Sequence, residues 1–413
     1  MSFDPVPSTK IFALVDCNNF FASCERVADP SLKDKPVVVL SHVGGIAIAR
    51  SNEAKALGVK MAQPFFQWQH VAKRHGIKVL TANFPLYAEL SHCVMETLQQ
   101  FSPDQEVYSI DESFLGLETI AGIKDLVGYG HKIREAVLKD VGLPVSVGIA
   151  RTKTLAKLAN RTAKTAAALK GVCSLMGPKD VESALQITPV GEIWGIGRRT
   201  AEELLKKGIT TAGDLKHMDD RWIKKNMSVV TLRTVFELRG ISCLALDDVP
   251  SVQASISVTR TFGHEVRDLA GIKEAVSGYA ARAAEKMRAD GQVAGCVNVF
   301  VTTGPFKPNY YGNSASSRID PRTSYTPALT RLAVKLLGQV YQPGLAYKRA
   351  GVTLYDLALE KEVPMELFED EGKRAKSSKL MAVVDQLNEK FTDDVVFFAG
   401  ERQGKSKIMV THT

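Results

Sequence analysis

Three acidic residues of this sequence stand where carboxylates could hold metal ions. Asp16 ends an apolar run at residues 11–16, and Asp111 and Glu112 stand together between two short apolar runs. Phosphoryl transfer to a hydroxyl uses two divalent cations about 3.5–4 Å apart, one activating the hydroxyl and one holding the phosphates. Magnesium prefers oxygen ligands, so three converging carboxylates would suit it. The alternatives are that Asp16 is a solvated turn residue and that Asp111 and Glu112 form a hairpin tip.

Two aromatic residues follow Asp16 in the segment CNNFFASCE at residues 17–25. A ring packed beneath an incoming sugar leaves no room for a 2′-hydroxyl, so such a site would prefer deoxynucleotides. We assign this role to Phe21 and place Phe20 in the same nucleotide site. The alternative is that both phenylalanines belong to the hydrophobic core.

A run of positive charge follows the predicted strand at residues 143–150. It contains no acidic residue and carries six basic ones: Arg151, Lys153, Lys157, Arg161, Lys164 and Lys170. Positive charge of this kind would meet the phosphates of a nucleotide and of a template strand. The alternative is an ordinary solvated helix face.

Helical spacing places three of these lysines on roughly one face, namely Lys153, Lys157 and Lys164. We assign Lys153 and Lys157 to DNA binding. Arg50 and Lys55, which lie in a separate segment, could clamp the nucleotide from the other side.

The order of predicted elements explains how the three acids would meet. With residues 29–84 set aside as an insertion, the pattern up to residue 150 reads strand, helix, strand, strand, helix, strand. This is the split-βαβ, ferredoxin-like order, in which the first and third strands are antiparallel neighbours. Asp16 ends the first strand, and we place Asp111 and Glu112 in a tight turn at residues 111–113. The topology therefore predicts that all three converge.

Residues 175–241 read as short helices with short loops, and they contain a glycine hairpin. Gly195 and Gly197 flank Ile196, and Arg198 and Arg199 follow directly. In a helix–hairpin–helix, backbone N–H groups of such a hairpin face a phosphate. We assign these two glycines and two arginines to DNA binding, with a plain helical turn as the alternative.

A polar, proline-containing linker is predicted at residues 247–253. A second α+β unit follows, with strands at residues 254–262, 294–302 and 348–355 and helices at 272–288 and 327–340. Residues 360–379 are charged and read as a flexible tether, and residues 378–391 read as a last helix.

Composition narrows the class of protein. The 413 residues are 45% hydrophobic and carry a formal net charge of +8, which favours a folded protein with a polyanionic partner. Six cysteines occur without a CxxC pair or zinc-site spacing, which indicates free thiols in a reducing compartment. No signal peptide and no apolar run of about 18 residues is visible, so we expect a cytoplasmic protein without membrane contact.

At these motifs the sequence resembles the Y-family translesion DNA polymerases, most closely their UmuC-like branch. The resembling segments cover residues from about 10 to 357 and include DCNNFFASCE (16–25), IARSNEAKALGVKM (48–61), YSIDESF (108–114), VGIARTKTLAKLAN (147–160) and WGIGRR (194–199). YSIDE and VGIARTKTLAKLAN are the most distinctive of these.

The resemblance implies an α+β multidomain fold. It consists of a ferredoxin-like catalytic palm (1–28 and 85–174), a small fingers insertion (29–84) and a helical thumb with the helix–hairpin–helix (175–246). A DNA-binding α+β little finger (254–357) and a C-terminal tail for partner contacts (358–413) complete it. The implied activity is error-prone nucleotidyl transfer from dNTP to a primer 3′-hydroxyl past damaged bases, in the SOS response and DNA repair.

The resemblance also implies roles for single residues. Asp16, Asp111 and Glu112 become ligands of two Mg²⁺ ions, for which Mn²⁺ can substitute, with help from the backbone carbonyl of Cys17. Phe21 falls on the sugar-discriminating position, and the triphosphate contacts fall on Asn52, Lys55 and Lys164.

Several positions depart from the common family pattern. Many members have tyrosine at the position of Asn52 and arginine at that of Lys55, and tyrosine is common at that of Phe21. The sequence PMELF at residues 364–368 lacks the glutamine of the family's clamp-binding peptides, which argues against strong sliding-clamp binding. The implied partners are primer–template DNA, a UmuD′-type accessory dimer and RecA.

Two other classes of function remain as alternatives. A non-catalytic DNA-binding scaffold would show salt-dependent DNA binding without nucleotide incorporation. A nucleotide cyclase or another palm-fold enzyme would use the same metal geometry, but the glycine hairpin and the basic second unit weigh against it.

Overall fold

The computed structural model describes residues 9–120, 122–246, 253–305, 309–363, 371–391, 395–398 and 400. The chain divides into two compact units between Pro250 and Ser251, inside the predicted linker. Both units combine helices with sheets, which confirms the α+β multidomain class.

The first unit contains three structural parts, a five-stranded sheet, a three-stranded sheet and a group of short helices. In chain order its elements are β1 Phe12–Cys17, α1 Phe20–Ala28, β2 Val37–Leu40, β3 Ala47–Arg50, α2 Asn52–Ala56, α3 Phe65–His75, β4 Lys78–Thr81, α4 Phe84–Gln99, β5 Gln105–Val107, β6 Glu112–Gly116, α5 Leu126–Asp140, β7 Val145–Ala150, α6 Lys153–Thr165, β8 Val172–Leu175, α7 Pro178–Ile187, α8 Arg198–Lys206, α9 Ala212–Lys216, α10 Asp220–Asn226 and α11 Val229–Leu238.

The five-stranded sheet has the order β5-β6-β1-β7-β8. The central strand β1 is antiparallel to both of its neighbours, β6 and β7. The first and third strands of the predicted split-βαβ pattern are therefore adjacent, as the sequence predicted. Strand β8, which pairs in parallel with β7, is an extension of this pattern that the sequence prediction did not include.

Both faces of the five-stranded sheet are buried, which explains the near-continuous apolar runs of its strands. One face, with Phe12 and Leu14, packs into a cluster that also contains α6 and the short helices. The other face, with Ala13 and Val15, packs with residues of α4 and α5. Alternate residues of β1 thus enter two different cores.

The three-stranded sheet has the order β3-β2-β4, and it lies within the predicted insertion at residues 29–84. Its small core contains Val38 and the fully buried Trp68 of α3. Strand β4 was absent from the sequence prediction.

The second unit contains one four-stranded sheet and three helices in the part of the chain that is described. Its elements are β9 Ser255–Val266, α12 Leu269–Ala289, β10 Gln292–Thr303, β11 Gly312–Thr323, α13 Thr326–Val340, β12 Tyr347–Leu359 and α14 Glu371–Phe391. The strand order is β11-β10-β12-β9. Strand β11 was not predicted, and α14 begins inside the predicted tether.

Helix α14 is anchored to α12 by an ion pair. Nε and Nη2 of Arg288 each lie 2.6 Å from a carboxylate oxygen of Asp385. Such a two-point geometry is the strongest that arginine makes with a carboxylate. The clamp-like sequence at residues 364–368 lies outside the described residues.

Candidate active site

The antiparallel pairing of β1 and β6 brings the predicted acids together at one end of the five-stranded sheet. Asp16 and Glu112 are direct cross-strand partners, and the backbone N–H of Cys17 donates to the carbonyl of Asp111 at 2.9 Å. Glu112 is the first residue of β6, so the predicted turn at residues 111–113 lies earlier in the chain. Asp16 is thus close in space to Asp111 and Glu112, although about 95 positions separate them in the sequence.

The three side chains divide between two cavities. Asp16 and Asp111 line a cavity of about 540 Å³, and Asp16 and Glu112 line a second one of about 380 Å³. The Asp111 carboxylate accepts a hydrogen bond from Ser109 Oγ at 2.7 Å. Within the described ranges, no three His, Cys, Asp or Glu side chains surround one point as a metal site would require. The three-carboxylate cluster therefore stays a prediction, with Asp16 as the carboxylate that lines both cavities.

Helix α6 supplies a cation to each of three acids of the sheet. Lys164 Nζ lies 2.5 Å from Asp16 Oδ1, and Lys157 Nζ lies 2.8 Å from Glu112 Oε2. Lys153 pairs with Glu106 of β5. The predicted lysine face of this helix is real, but it faces carboxylates of the sheet.

This arrangement corrects the assignment of Lys153 to DNA binding. Its side chain is only 4% exposed and is held by Glu106, so it cannot reach a strand of DNA. Lys157 is also largely buried, and its ammonium contacts Glu112. The assignment of Lys157 to DNA binding stays a prediction.

A close approach between β7 and α6 allows these contacts. A Cβ on Gly148 would lie 2.1 Å from the backbone nitrogen of Asn160 and 2.3 Å from the carbonyl of Ala156. Only glycine therefore permits the helix to pack at this distance. The Asn160 side chain then donates to the carbonyls of Leu14 and Ser146, which joins the helix to two strands.

Burial controls the protonation of Asp16. Desolvation raises the pKa of this carboxyl to about 7, although the neighbouring Lys164 ammonium lowers it; the Glu112 carboxyl raises it further. Burial also raises the pKa of the Cys17 thiol well above its ordinary value, so the thiol stays neutral. The role of the Cys17 backbone carbonyl as a metal ligand stays a prediction.

The larger cavity has an aromatic wall. Phe21 stacks on Tyr87 with ring centroids 4.4 Å apart and makes an edge contact with Phe84 at 6.0 Å. Phe20 also lines the cavity but is only 5% exposed, so most of its surface belongs to the core. The two phenylalanines, which the sequence treated alike, therefore have different environments. Tyr87, which supports Phe21, carried no signal in the sequence.

The cavity also has a cationic lining, which comes from the three-stranded sheet, α2 and α6. Arg50, Asn52 and Lys55 all line it, together with Lys164. The Arg50 Nη1 donates to the carbonyl of Val59 at 2.6 Å, which fixes its guanidinium. Burial, with the nearby Arg50 and Lys164 charges, lowers the pKa of Lys55. The predicted nucleotide residues therefore share one cavity.

Two residues of the cavity were missed by the sequence prediction. Asn19 has a left-handed backbone (φ 52°) and holds two residues of the cationic lining, donating to Asn52 Oδ1 at 3.0 Å and accepting from Lys55 Nζ at 2.5 Å. Arg134 of α5 donates to the carbonyls of Val145 and Gly171. Asparagine directly before a helix was the one available signal for Asn19, and Arg134 had none.

The glycine hairpin lies at the start of α8. Gly195 has a φ of +92°, and Gly197 precedes the first residue of α8. Arg198 and Arg199 are exposed, and Arg198 pairs with Glu202. Trp194, which precedes the hairpin, lines the smaller cavity. These glycines form a tight turn before α8, and the helix–hairpin–helix and its role in DNA binding stay predictions.

Among the described residues, no helix is both long and apolar enough to span a bilayer.

Known proteins resemble this chain along almost its whole length. The sequence profile of the impB/mucB/samB family matches residues 15–161, and the profile of that family's C-terminal domain matches residues 253–367. The chain is 42% identical to the protein UmuC of Salmonella typhimurium over 95% of this chain and 93% of that protein. It is 38% identical to the protein MucB of Escherichia coli over the same shares.

A DNA polymerase IV of Bacillus subtilis is 32% identical over 63% of this chain and 62% of its own length. Among solved structures, a Y-family DNA polymerase chimera of Dbh and Dpo4 superimposes with a TM-score of 0.71. It covers 85% of this chain and all of its own, at 22% identity, which shows a shared fold. With its motifs, its fold and its UmuC and MucB relatives in agreement, the chain belongs to the impB/mucB/samB family of Y-family, error-prone translesion DNA polymerases.

Proposed function

We propose that this polymerase binds a dNTP in the larger cavity and joins it to a primer 3′-hydroxyl with the help of two Mg²⁺ ions. The observation that supports the proposal is that two acids, Asp16 and Asp111, and three basic side chains, Arg50, Lys55 and Lys164, line the same cavity. A volume of about 540 Å³ is within the range of small-ligand pockets. The triphosphate of the dNTP would bind beside the basic side chains, and the primer hydroxyl would lie beside the acids, as the reaction requires.

The donor set suits Mg²⁺, with Mn²⁺ as a substitute. Asp16, Asp111, Glu112 and the Cys17 carbonyl offer oxygen atoms alone, which hard divalent ions prefer. When bound, the ions would lower the pKa of the primer hydroxyl and offset charge on the triphosphate. Asp16 and Glu112 each bind a lysine ammonium, Lys164 and Lys157 respectively, so both carboxylates already stabilise a positive charge.

The protein's own residues would then act in sequence. Asp16 must be ionised to bind metal, and Lys164, released from it, would turn to the triphosphate that lies beside it. Lys55 and Asn52, which Asn19 holds in place, would also contact the phosphates. Phe21, supported by Tyr87, would present its ring to C2′ of the sugar and exclude ribonucleotides.

We also propose that primer–template DNA contacts the glycine hairpin through Gly195 and Gly197 and the exposed side chains of Arg198 and Arg199. The domain limits given above, the cytoplasmic location, the UmuD′-type dimer and RecA are kept as proposals on the strength of the family resemblance. Primer extension across an abasic site, with and without such partners, tests the accessory proteins. Full extension by the chain alone would exclude a requirement for them.

Primer extension by a carboxylate variant tests the catalytic proposal. Replacing Asp111→Asn and Glu112→Gln together should lower the extension rate about a thousandfold or more, because a metal supplies several kcal/mol of transition-state stabilisation. The control variant Glu89→Gln with Glu96→Gln removes two carboxylates from α4 and should extend primers normally. Normal extension by the first variant would refute the assignment.

DNA binding by the same variant separates the polymerase from the scaffold alternative. The variant should bind primer–template DNA as the wild type does, with the same salt dependence. A wild-type protein that binds DNA but incorporates no nucleotide with Mg²⁺ or Mn²⁺ would support a scaffold instead.

A further inference from the structure

Lys157 lies in an aromatic cage that consists of Tyr108, Phe114 and Trp194. Its Nζ atom is 4.5 Å from the ring centroid of Tyr108, 5.3 Å from that of Trp194 and 5.9 Å from that of Phe114. An ammonium within about 6 Å of a ring face is attracted to it, most strongly where water is excluded. The Lys157 side chain is only 16% exposed, so all three rings act in a poorly solvated site.

The cage connects Glu112 to the helical part of the first unit. Tyr108 and Phe114 flank Glu112 in sequence, whereas Trp194 comes from the segment between α7 and α8. The indole N–H of Trp194 donates to Tyr108 Oη at 3.3 Å, and the two rings meet edge to face at 5.7 Å. Tyr108 and Phe114 belong to the β5–β6 hairpin, so Trp194 is the cage member that reaches Lys157 from another part of the first unit.

The position of Trp194 is set by the glycine hairpin beside it. Gly195 adopts a left-handed backbone, and a Cβ at this position would lie 2.7 Å from Thr234 Oγ1 of α11. The hairpin is thus packed tightly against α11, and the preceding tryptophan is held over Lys157. A proposed DNA-contacting hairpin and a proposed metal ligand are joined through one lysine.

Lys157 engages one oxygen of Glu112 only. Its ammonium lies 2.8 Å from Oε2, and the direct strand partner of Glu112 is Asp16. When one oxygen of a carboxylate is fixed by an ammonium, the other oxygen also has a defined position and can serve as a metal ligand. Because the rings stabilise the ammonium where it stands, the cage restricts how far Glu112 can turn.

We infer that Trp194 is a positioning residue for the polymerase reaction, closing the cage that keeps the Lys157 ammonium on Oε2 of Glu112 and leaves Oε1 for metal. This rests on the proposed role of Glu112 as a metal ligand. Trp194 itself touches no substrate in this role. It acts through Lys157.

Metal titrations of Trp194→Ala test the inference. The variant should need about five times more Mg²⁺ for half-maximal extension and should show a maximal rate about tenfold lower, because the ring no longer stabilises the desolvated ammonium. The KM for dNTP should stay within about twofold of the wild-type value, since Lys55 and Lys164 remain. Calorimetric titration with Mn²⁺, without DNA or nucleotide, should show about fivefold weaker binding.

The chain offers a matched control in Trp222. This tryptophan also lies under a lysine, with Lys207 Nζ 5.4 Å from its ring, but it is remote in the chain from Glu112 and lines neither cavity. Trp222→Ala should leave the Mg²⁺ and Mn²⁺ titrations unchanged. Trp194→Phe, which keeps a ring, should recover most of the metal affinity that Trp194→Ala loses, and it also guards against a variant that fails to fold.

Three outcomes would overturn the inference. Unchanged metal titrations in both Trp194 variants would show that the cage does not position Glu112. Tighter Mn²⁺ binding in Trp194→Ala would show that Lys157 competes with the metal. Weaker DNA binding with an unaltered metal response would give Trp194 a role in the hairpin alone. A wild-type protein without nucleotide incorporation would refute the proposed function, while the Mn²⁺ titration would still test the cage.

Discussion

The two larger sheets of this protein are built from the same order of elements but have different strand orders. If the segment from α1 to β4 and the final α6 and β8 of the five-stranded sheet are set aside, the chain in each runs strand, helix, strand, strand, helix, strand. The first strand is central in the five-stranded sheet (β5-β6-β1-β7-β8) and lies at the edge of the four-stranded one (β11-β10-β12-β9). The order of elements therefore does not by itself determine which strand ends become neighbours. Only the first arrangement places two acidic strand ends side by side.

The faces of the two sheets differ as well. Helices cover both faces of the five-stranded sheet, whereas α12 and α13 share a core with one face of the four-stranded sheet. The residues that alternate with that core are mostly polar and include Ser257, Thr259, Asn298, Ser314, Ser316, Arg318, Arg349 and Thr353. Charges at the end of the covered sheet are desolvated and paired, which suits catalysis. The open face offers many small contacts, which suits recognition of an extended polyanion.

The largest expected effect concerns Asp16 in the covered sheet. Asp16→Asn should reduce primer extension about a thousandfold, because a metal ligand is removed. Rapid-mixing extension assays at saturating Mg²⁺ measure this rate. Extension within tenfold of the wild-type rate would remove Asp16 from the catalytic set.

The same variant should be more stable than the wild type in neutral solution without metal. The folded-state pKa of about 7 exceeds the ordinary value of 3.8, so ionisation of Asp16 costs stability as pH rises between about 4 and 7. The neutral amide of the Asp16→Asn variant would not carry this cost, so the gain should be near zero at pH 4 and about 2 kcal/mol or more at pH 8. Urea unfolding with EDTA at both pH values measures it. A gain that is independent of pH would contradict the assigned pKa.

The next effect concerns the buried ion pair of the covered sheet. Lys153→Met removes the ammonium that offsets the Glu106 charge and should destabilise the fold by about 3 kcal/mol. An exposed lysine of α5 supplies the control, because Lys132→Met should change stability by less than about 0.5 kcal/mol. Urea unfolding compares the two, and a loss below about 1 kcal/mol for Lys153→Met would mean that water reaches the pair.

A smaller effect is expected at the aromatic wall. Phe21→Ala should raise ribonucleotide incorporation relative to deoxynucleotide incorporation about 10- to 100-fold, because the ring that would meet a 2′-hydroxyl is gone. Single-nucleotide incorporation kinetics with matched dNTP and rNTP measure the ratio. Phe84→Ala removes a ring that contacts Phe21 but does not line the cavity, so it should leave the ratio unchanged. An unaltered preference in Phe21→Ala would exclude the steric role.

The smallest effect is expected on the open face. Arg318→Ser with Arg349→Ser should weaken DNA binding severalfold and lower the slope of log affinity against log salt by about 2, because each arginine would neutralise one phosphate. Fluorescence anisotropy over a salt series measures this slope. Arg331→Ser with Lys335→Ser removes the same charge from α13 and should leave it unchanged. Equal effects of the two pairs would show that net charge alone matters.

Much of the site could be predicted because it depends on short-range patterns. The apolar run that ends in Asp16 and the adjacent acids at residues 111 and 112 indicated strand ends, and helical spacing identified the lysine face of α6. The sequence could not show what that face contacts, because Glu106 lies in β5, 47 positions before its partner Lys153 in α6. Trp194 was missed for the same reason, because its role depends on a contact with Tyr108, 86 positions away.

The strands that were missed lacked the pattern of a half-buried strand. Strand β11 has the sequence GNSASSRIDPRT, which is polar on both of its faces and contains a proline. It lies at the edge of its sheet, where neither a proline nor a lack of apolar residues is disruptive. Strands β4 and β8 have only four residues each, too few for alternation to stand out.

The absent side chain at Gly148 has a consequence for how this enzyme can be altered. One added methyl group would force α6 away from β7, and the lysines at positions 157 and 164 would move with the helix. Catalysis could thus be abolished without touching any charged atom. An uncharged position in the middle of β7 thereby sets the distance between the ammonium groups of α6 and the carboxylates of β1 and β6.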